Sequence, residues 1–230
     1  ITDGYEGGKA VLEYFKGLLL TLKGTSSEAM SVSVKWDGAP AVVCGTNPDN
    51  GKFFVGTKSV FAQAAKINYT KKDIANNHGT EELGQKLLKC LVHLKKLNIQ
   101  GVIQGDLLFT DEDITRKNVG GKPHLTFTPN TITYAVPESG DLGKQIDRAK
   151  LGIIFHTTYV GDSLSEMNAQ GGADVSAFAK SDDVFFDNAT YKDVSGSAKF
   201  TDDETTQFYN SIEKLETLLN NVPRNLSSVL

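Results

Sequence analysis

Two short apolar runs at residues 41–44 and 52–58 flank a connection, residues 45–51, reading Gly-Thr-Asn-Pro-Asp-Asn-Gly. That connection is dense in turn formers, so the two runs read as a β-hairpin. Just before it, Met30, Val32 and Val34 alternate with Ser31, Ser33 and Lys35, the pattern of a strand with one apolar and one polar face. Further strands are expected at residues 99–109, 125–127, 131–136, 151–159 and 184–186. A charged loop is expected to lead to Pro123, and residues 162–200 read as less regular. Helical spacing is confined to three places. Val11, Leu12, Phe15, Leu18, Leu19 and Leu22 mark a helix over 7–23, ended near Gly24. Leu83, Leu87, Leu91 and Leu94 mark one over 80–97, with Thr80 as its cap and Asn98 as its stop. Phe208, Ile212, Leu215 and Leu219 mark one over 202–219, opened by a Thr201/Glu204 capping box. Strands outnumber helices and lack the regular alternation of a parallel sheet. The expected class is α+β, with mostly antiparallel sheets and flanking helices.

Composition narrows the partners. With 230 residues, one domain over 1–219 is expected, followed by a linker or truncated end at 220–230. Lys and Arg total 24 against 28 Asp and Glu, a net charge of −4, which excludes a globally basic nucleic-acid coat but not a local basic surface. No apolar run approaches the ~18 residues of a membrane span, so no membrane partner is expected. Cys44 and Cys90 cannot make a disulfide framework and are expected as reduced thiols in a cytoplasmic setting. Ile rather than Met at position 1 is what a processed or cut N-terminus would give.

Chemistry concentrates at Val34-Lys35-Trp36-Asp37-Gly38, where a polar-faced strand enters a turn. Alternation puts Lys35 on the polar face and Trp36 on the packing face. Gly38 lets the backbone turn and a ligand approach. A surface lysine before a turn is the alternative reading of the same residues.

The order of the segments that follow resembles the covalent nucleotidyltransferase superfamily of ATP-dependent DNA ligases, RNA ligases and mRNA capping enzymes. The Lys-x-Asp-Gly run comes first. Val55-Gly56-Thr57-Lys58-Ser59 then resembles the basic segment of the ligase hairpin, with Lys58 in the basic role. Gln104-Gly105-Asp106-Leu107 resembles the Gly-Glu-Leu motif, with Asp106 for Glu. Leu151-Gly152-Ile153-Ile154-Phe155-His156 resembles the strand whose aromatic residue stacks on adenine, with Phe155 in that place. The Ala39-Pro40-Ala41 extension is most similar to ligase-like proteins of tailed phages, which implies a host-cytoplasmic or virion location.

The resemblance implies a ligase-type core, ATP-grasp-like in architecture, using ATP and Mg²⁺. Lys35 would take AMP as a lysyl phosphoramidate and pass it to a nucleic-acid 5′-phosphate for strand joining. Val34, Asp37, Gly38, Lys58, Asp106 and Phe155 would bind the nucleotide, and Asp106 would also serve the metal. Two departures stand against this. Ala39 and Pro40 occupy the stretch where an arginine usually follows, and the distal Glu-Gly and Lys-x-Lys strands are not evident, Lys192 and Lys199 lacking their flanking pattern. Those motifs either lie beyond Leu230 or are lost. The alternative is therefore a catalytically degenerate member of the fold serving as a phage accessory or virion structural protein.

Other signals carry less. Gly161-Asp162-Ser163-Leu164 matches an esterase signature, but no histidine follows His156. The four histidines show no metal spacing. Lys66, Lys71 and Lys72, beside Tyr69, read as a solvated loop, the alternative being contact with a nucleic-acid backbone.

Overall fold

The computed structural model describes residues 4–23, 33–190 and 199–221. Contacts divide the chain into two compact units, Ile1–Val32 with Tyr191–Leu230, and Ser33–Thr190, where the sequence reads as one domain over 1–219.

In the first unit α1 (Gly4–Leu22) pairs with α5 (Asp202–Asn220). The helices are antiparallel: Gly8 lies against Leu219, Phe15 meets Phe208 edge-on at 6.1 Å, and Phe200 N donates to Leu22 O. Leu12, Leu19 and Ile212 are buried between them, and Lys16 binds Glu216 at 3.1 Å across the pair. The Thr201/Glu204 capping box opens α5 as expected.

The second unit is built on a six-stranded sheet, ordered β2 (Phe53–Gly56), β1 (Ala41–Thr46), β3 (Val102–Thr110), β7 (Leu151–Val160) and β8 (Asn168–Gly171). β9 (Val184–Asn188) pairs with the opposite end of β7, in the one parallel ladder of the named strands. A second sheet holds β4 (Thr115–Val119), β5 (Lys122–Phe127) and β6 (Tyr134–Pro137), all antiparallel. The α+β class with mostly antiparallel sheets and flanking helices is thus what the chain forms.

One face of the large sheet is closed. Val42, Cys44, Val55, Ile103, Leu107, Leu151, Ile153 and Phe155 share one cluster with Leu87, Cys90 and Leu94 of α3 (Glu82–Leu94). The heptad-like leucine spacing of α3 makes this apolar stripe. Cys44 and Cys90 are free and fully buried here, and burial pushes the Cys90 thiol up to about 12.

Several sequence readings are corrected. Lys71 and Lys72 do not lie in a loop: they open α2 (Lys71–His78), capped by a Thr70/Asp73 capping box. Its apolar stripe is too thin to read, since Ile74 alone is buried. α4 (Asp141–Arg148) hides for a similar reason, burying only Gly143 and Ile146. The charged stretch before Pro123 is strand β4, every residue of which is exposed. Backbone pairing with β5, not burial, holds it. Thr80 does not cap α3; Glu81 takes that position without a side-chain bond. The strand expected over Met30–Lys35 lies mostly outside the described residues, and Ser33 makes only an isolated bridge to Thr190.

Candidate active site

The second face of the large sheet is covered at its two ends and polar between them. Along β3, Val102 belongs to one apolar cluster, with Val43, Phe54, Val60 and Leu164. Leu108 belongs to another, with Leu125, Phe127, Ile146 and Ile154. Strand alternation puts Gln104 and Asp106 on the same face between those two anchors. Asp106 is paired in register with Ala41 on one side and Ile154 on the other.

A β-bulge adds to this strip. Gln104 pairs with Thr157, but the next residue, Gly105, pairs with Phe155, leaving His156 extra on β7. A bulge of this kind re-aims a side chain. His156 Nε2 stands 3.4 Å from Asp106 Oδ1, and its Nδ1 is 2.8 Å from Thr157 Oγ1. Next along the strip, Tyr159 donates its hydroxyl hydrogen to Gln104 Oε1 at 2.7 Å and packs its ring on Phe61, with centroids 4.4 Å apart.

The Lys35 run crosses over this face. Val34 N donates to Ala189 O beyond the β9 edge, and Ala39 N donates to Leu107 O at the β1–β3 ladder. Between those anchors the chain passes from one side of β7 and β3 to the other. Gly38 makes the crossing close: a Cβ there would lie 2.6 Å from Asp106 Cβ and 3.0 Å from Leu107 O. Only a residue without a side chain fits that approach. Trp36 packs on the apolar cluster that holds Leu108 and Ile154, its ring 5.5 Å from that of Tyr134. Lys35 is exposed.

Asp37 fixes the run rather than offering a free carboxylate. It accepts hydrogen bonds from Ile132 N at 2.6 Å, Thr131 N at 2.7 Å and Asn130 Nδ2 at 2.8 Å, and its own N–H donates to Tyr134 Oη. The Ile132 amide first, then Asn130 and Thr131, hold its carboxyl below the usual carboxylate range.

Gly38 therefore lies against Asp106, with Lys35 and Asp37 on the same short run, and two other expected site residues are not brought to that contact. Phe155 is fully buried on the closed face, edge-on to Phe178 at 5.5 Å. The bulge at His156 leaves Phe155 in step with Leu151 and Ile153, so its ring is core and cannot stack on a ligand in the strip. Lys58 is exposed on a 3-10 turn, Lys58–Phe61, that folds over Gly56. No hydrogen bond or ion pair ties Lys58 to Lys35 or Asp106 among the described residues. Val34 contributes its backbone, and its side chain is exposed. His156 reads from the sequence either as a hydrogen-bond partner near the base or as a plain sheet residue; Tyr159 and Phe61 carry no mark of a site, because aromatic residues ordinarily signal core.

Over residues 1–229 the chain matches DUF6267, described as a family of unknown function. The protein belongs to that family. No curated protein and no solved structure matches the chain. No helix among the described residues is long and apolar enough to cross a membrane.

Among those residues, no three His, Cys, Asp or Glu side chains gather to hold a metal unaided. A magnesium ion carried by a triphosphate needs only one or two protein carboxylates. Asp106, about one-fifth exposed in the strip, fits that lesser demand.

Proposed function

We propose that the Ser33–Thr190 unit is a ligase-like nucleotidyltransferase core that uses ATP with Mg²⁺, adenylylates Lys35 and passes AMP to a nucleic-acid 5′-phosphate for strand joining. One observation carries this reading: the Lys35 run crosses a polar strip on an otherwise apolar sheet, and Gly38 seats it directly on Asp106. A lysine held at both ends of a short crossing, with its amine exposed, suits attack on a bound phosphate. Lys35 Nζ, as the free amine, would attack the α-phosphorus. The N–P bond forms, the P–O bond to the β-phosphate breaks, pyrophosphate leaves and the amine proton passes to solvent. Asp106 would hold the metal or the ribose hydroxyls. Bound magnesium would orient the triphosphate and offset its charge.

Phe155 favours a second reading, because the aromatic residue in the expected stacking position is committed to the core. On that reading the fold is kept without catalysis, in a phage accessory or virion structural protein. Intact mass after incubation with ATP and Mg²⁺ separates the two. The first expects one added AMP, absent in Lys35→Ala. No adduct with any of the four nucleotides overturns it.

A further inference from the structure

The small sheet carries charge of one sign. β4, β5 and β6 contain Arg116, Lys117 and Lys122 and no aspartate or glutamate, in a chain whose net charge is −4. Arg116 is neutralised by Asp147 and, at 3.6 Å, by Glu138. Lys117 and Lys122 have no ion-pair partner among the described residues. Register sets them on one face of the hairpin: Lys117 lies opposite His124, and Lys122 opposite Val119 two residues further along β4. Both lysines are exposed.

This sheet is also fastened to the Lys35 run. The β5–β6 loop supplies the Asn130, Thr131 and Ile132 bonds that grip Asp37, and Tyr134 of β6 takes the Asp37 N–H and packs on Trp36. A molecule lying along the hairpin is thereby held in fixed relation to Lys35.

We propose that the β4–β5 hairpin is the surface on which a single-stranded, 5′-phosphorylated polynucleotide lies, its phosphodiesters against Lys117 and Lys122; the 5′-phosphate requirement rests on the nucleotidyl-transfer reading of Lys35. The fit is one of charge: two unneutralised ammonium groups on an acid-free face match a regular row of phosphates, and lysine binds phosphate as a point charge. Sequence would not be read there, because the contacts are to backbone.

The test is binding of labelled single-stranded DNA and RNA of one sequence, measured by fluorescence anisotropy over a salt series. Each phosphate contact contributes about 0.7 to the slope of log K against log salt on single strands, so Lys117→Ala/Lys122→Ala is expected to flatten the slope by about 1.4. Lys71→Ala/Lys72→Ala, an equal change of charge on α2, is expected to leave it unchanged. An equal loss in both double variants, an unchanged slope in the hairpin variant, or no binding by the native chain to either strand overturns the proposal. AMP addition at Lys35 is expected to survive the hairpin variant. A flattened slope without any AMP adduct in the native chain would sink the nucleotidyltransferase reading and leave the surface standing.

Discussion

The two faces of the six-stranded sheet come from the same strands and differ in kind. On the α3 side a continuous apolar patch runs from Val42 and Cys44 through Ile103 and Leu107 to Ile153 and Phe155, and one helix stripe closes it. On the other side the apolar cover is split into two clusters, and Gln104, Asp106 and His156 occupy the gap. A sheet needs one well-covered face to be stable. Once α3 supplies that, the second face is free to keep polar groups at its centre. β3 serves both ends at once: its odd-numbered positions Ile103 and Leu107 build the core, and its even-numbered positions Gln104 and Asp106 line the open face.

Phe155 tests that division most severely. It is fully buried on the closed face, so Phe155→Ala is expected to cost about 3–5 kcal/mol through lost burial and the cavity left behind. Urea unfolding followed by fluorescence or circular dichroism measures it. A variant of unchanged stability and weakened nucleotide binding would break the comparison, because it would bring Phe155 to the open face.

Gly38 tests the crossing. An alanine Cβ would meet Asp106 Cβ at 2.6 Å and Leu107 O at 3.0 Å, and the neighbours are sheet backbone that yields little. Gly38→Ala is expected to cost about 1–3 kcal/mol from overpacking. It should also abolish the AMP adduct, since the Lys35 run would be lifted off Asp106. Stability measured alongside intact mass shows whether the two losses occur together; a full adduct on a stable Gly38→Ala protein would mean that the close seat on Asp106 is dispensable.

Much of this division was legible in the sequence, and the limits are physical. The hairpin of β1 and β2, strands β3 and β7, and helices α3 and α5 follow from periodicity and turn chemistry because burial on one face demands it. β4, α2 and α4 bury too little to leave a pattern; β4 is held by its backbone ladder and α2 is opened by its capping box. At the site, Gln104 and Asp106 follow from alternation. So does His156, in step with Ile154; Thr157 does not, since alternation assigns it to the closed side with Phe155, and only the bulge brings it beside His156 on the open face. The grip on Asp37 comes from residues 130–132, far along the chain, and no local signal announces it.

That grip gives the smallest and most selective effect. Three N–H groups, with the Ile132 amide foremost, converge on the Asp37 carboxylate and hold its pKa below the ordinary aspartate value of 3.8. A depressed carboxylate contributes stability that is fully present above the unfolded value and is lost as the pH falls through the lower folded value. Asp37→Asn keeps the shape and removes the charge, and its amide nitrogen would point a donor at a donor. The variant is therefore expected to be less stable than the native chain at neutral pH, with the difference shrinking as the solution is acidified from about pH 5 to about pH 2. Urea midpoints taken across that range measure it. A difference that stays constant down to the lowest pH would mean that the Asp37 charge contributes nothing, and that the run bearing Lys35 is held by Tyr134 and the Gly38 contact alone.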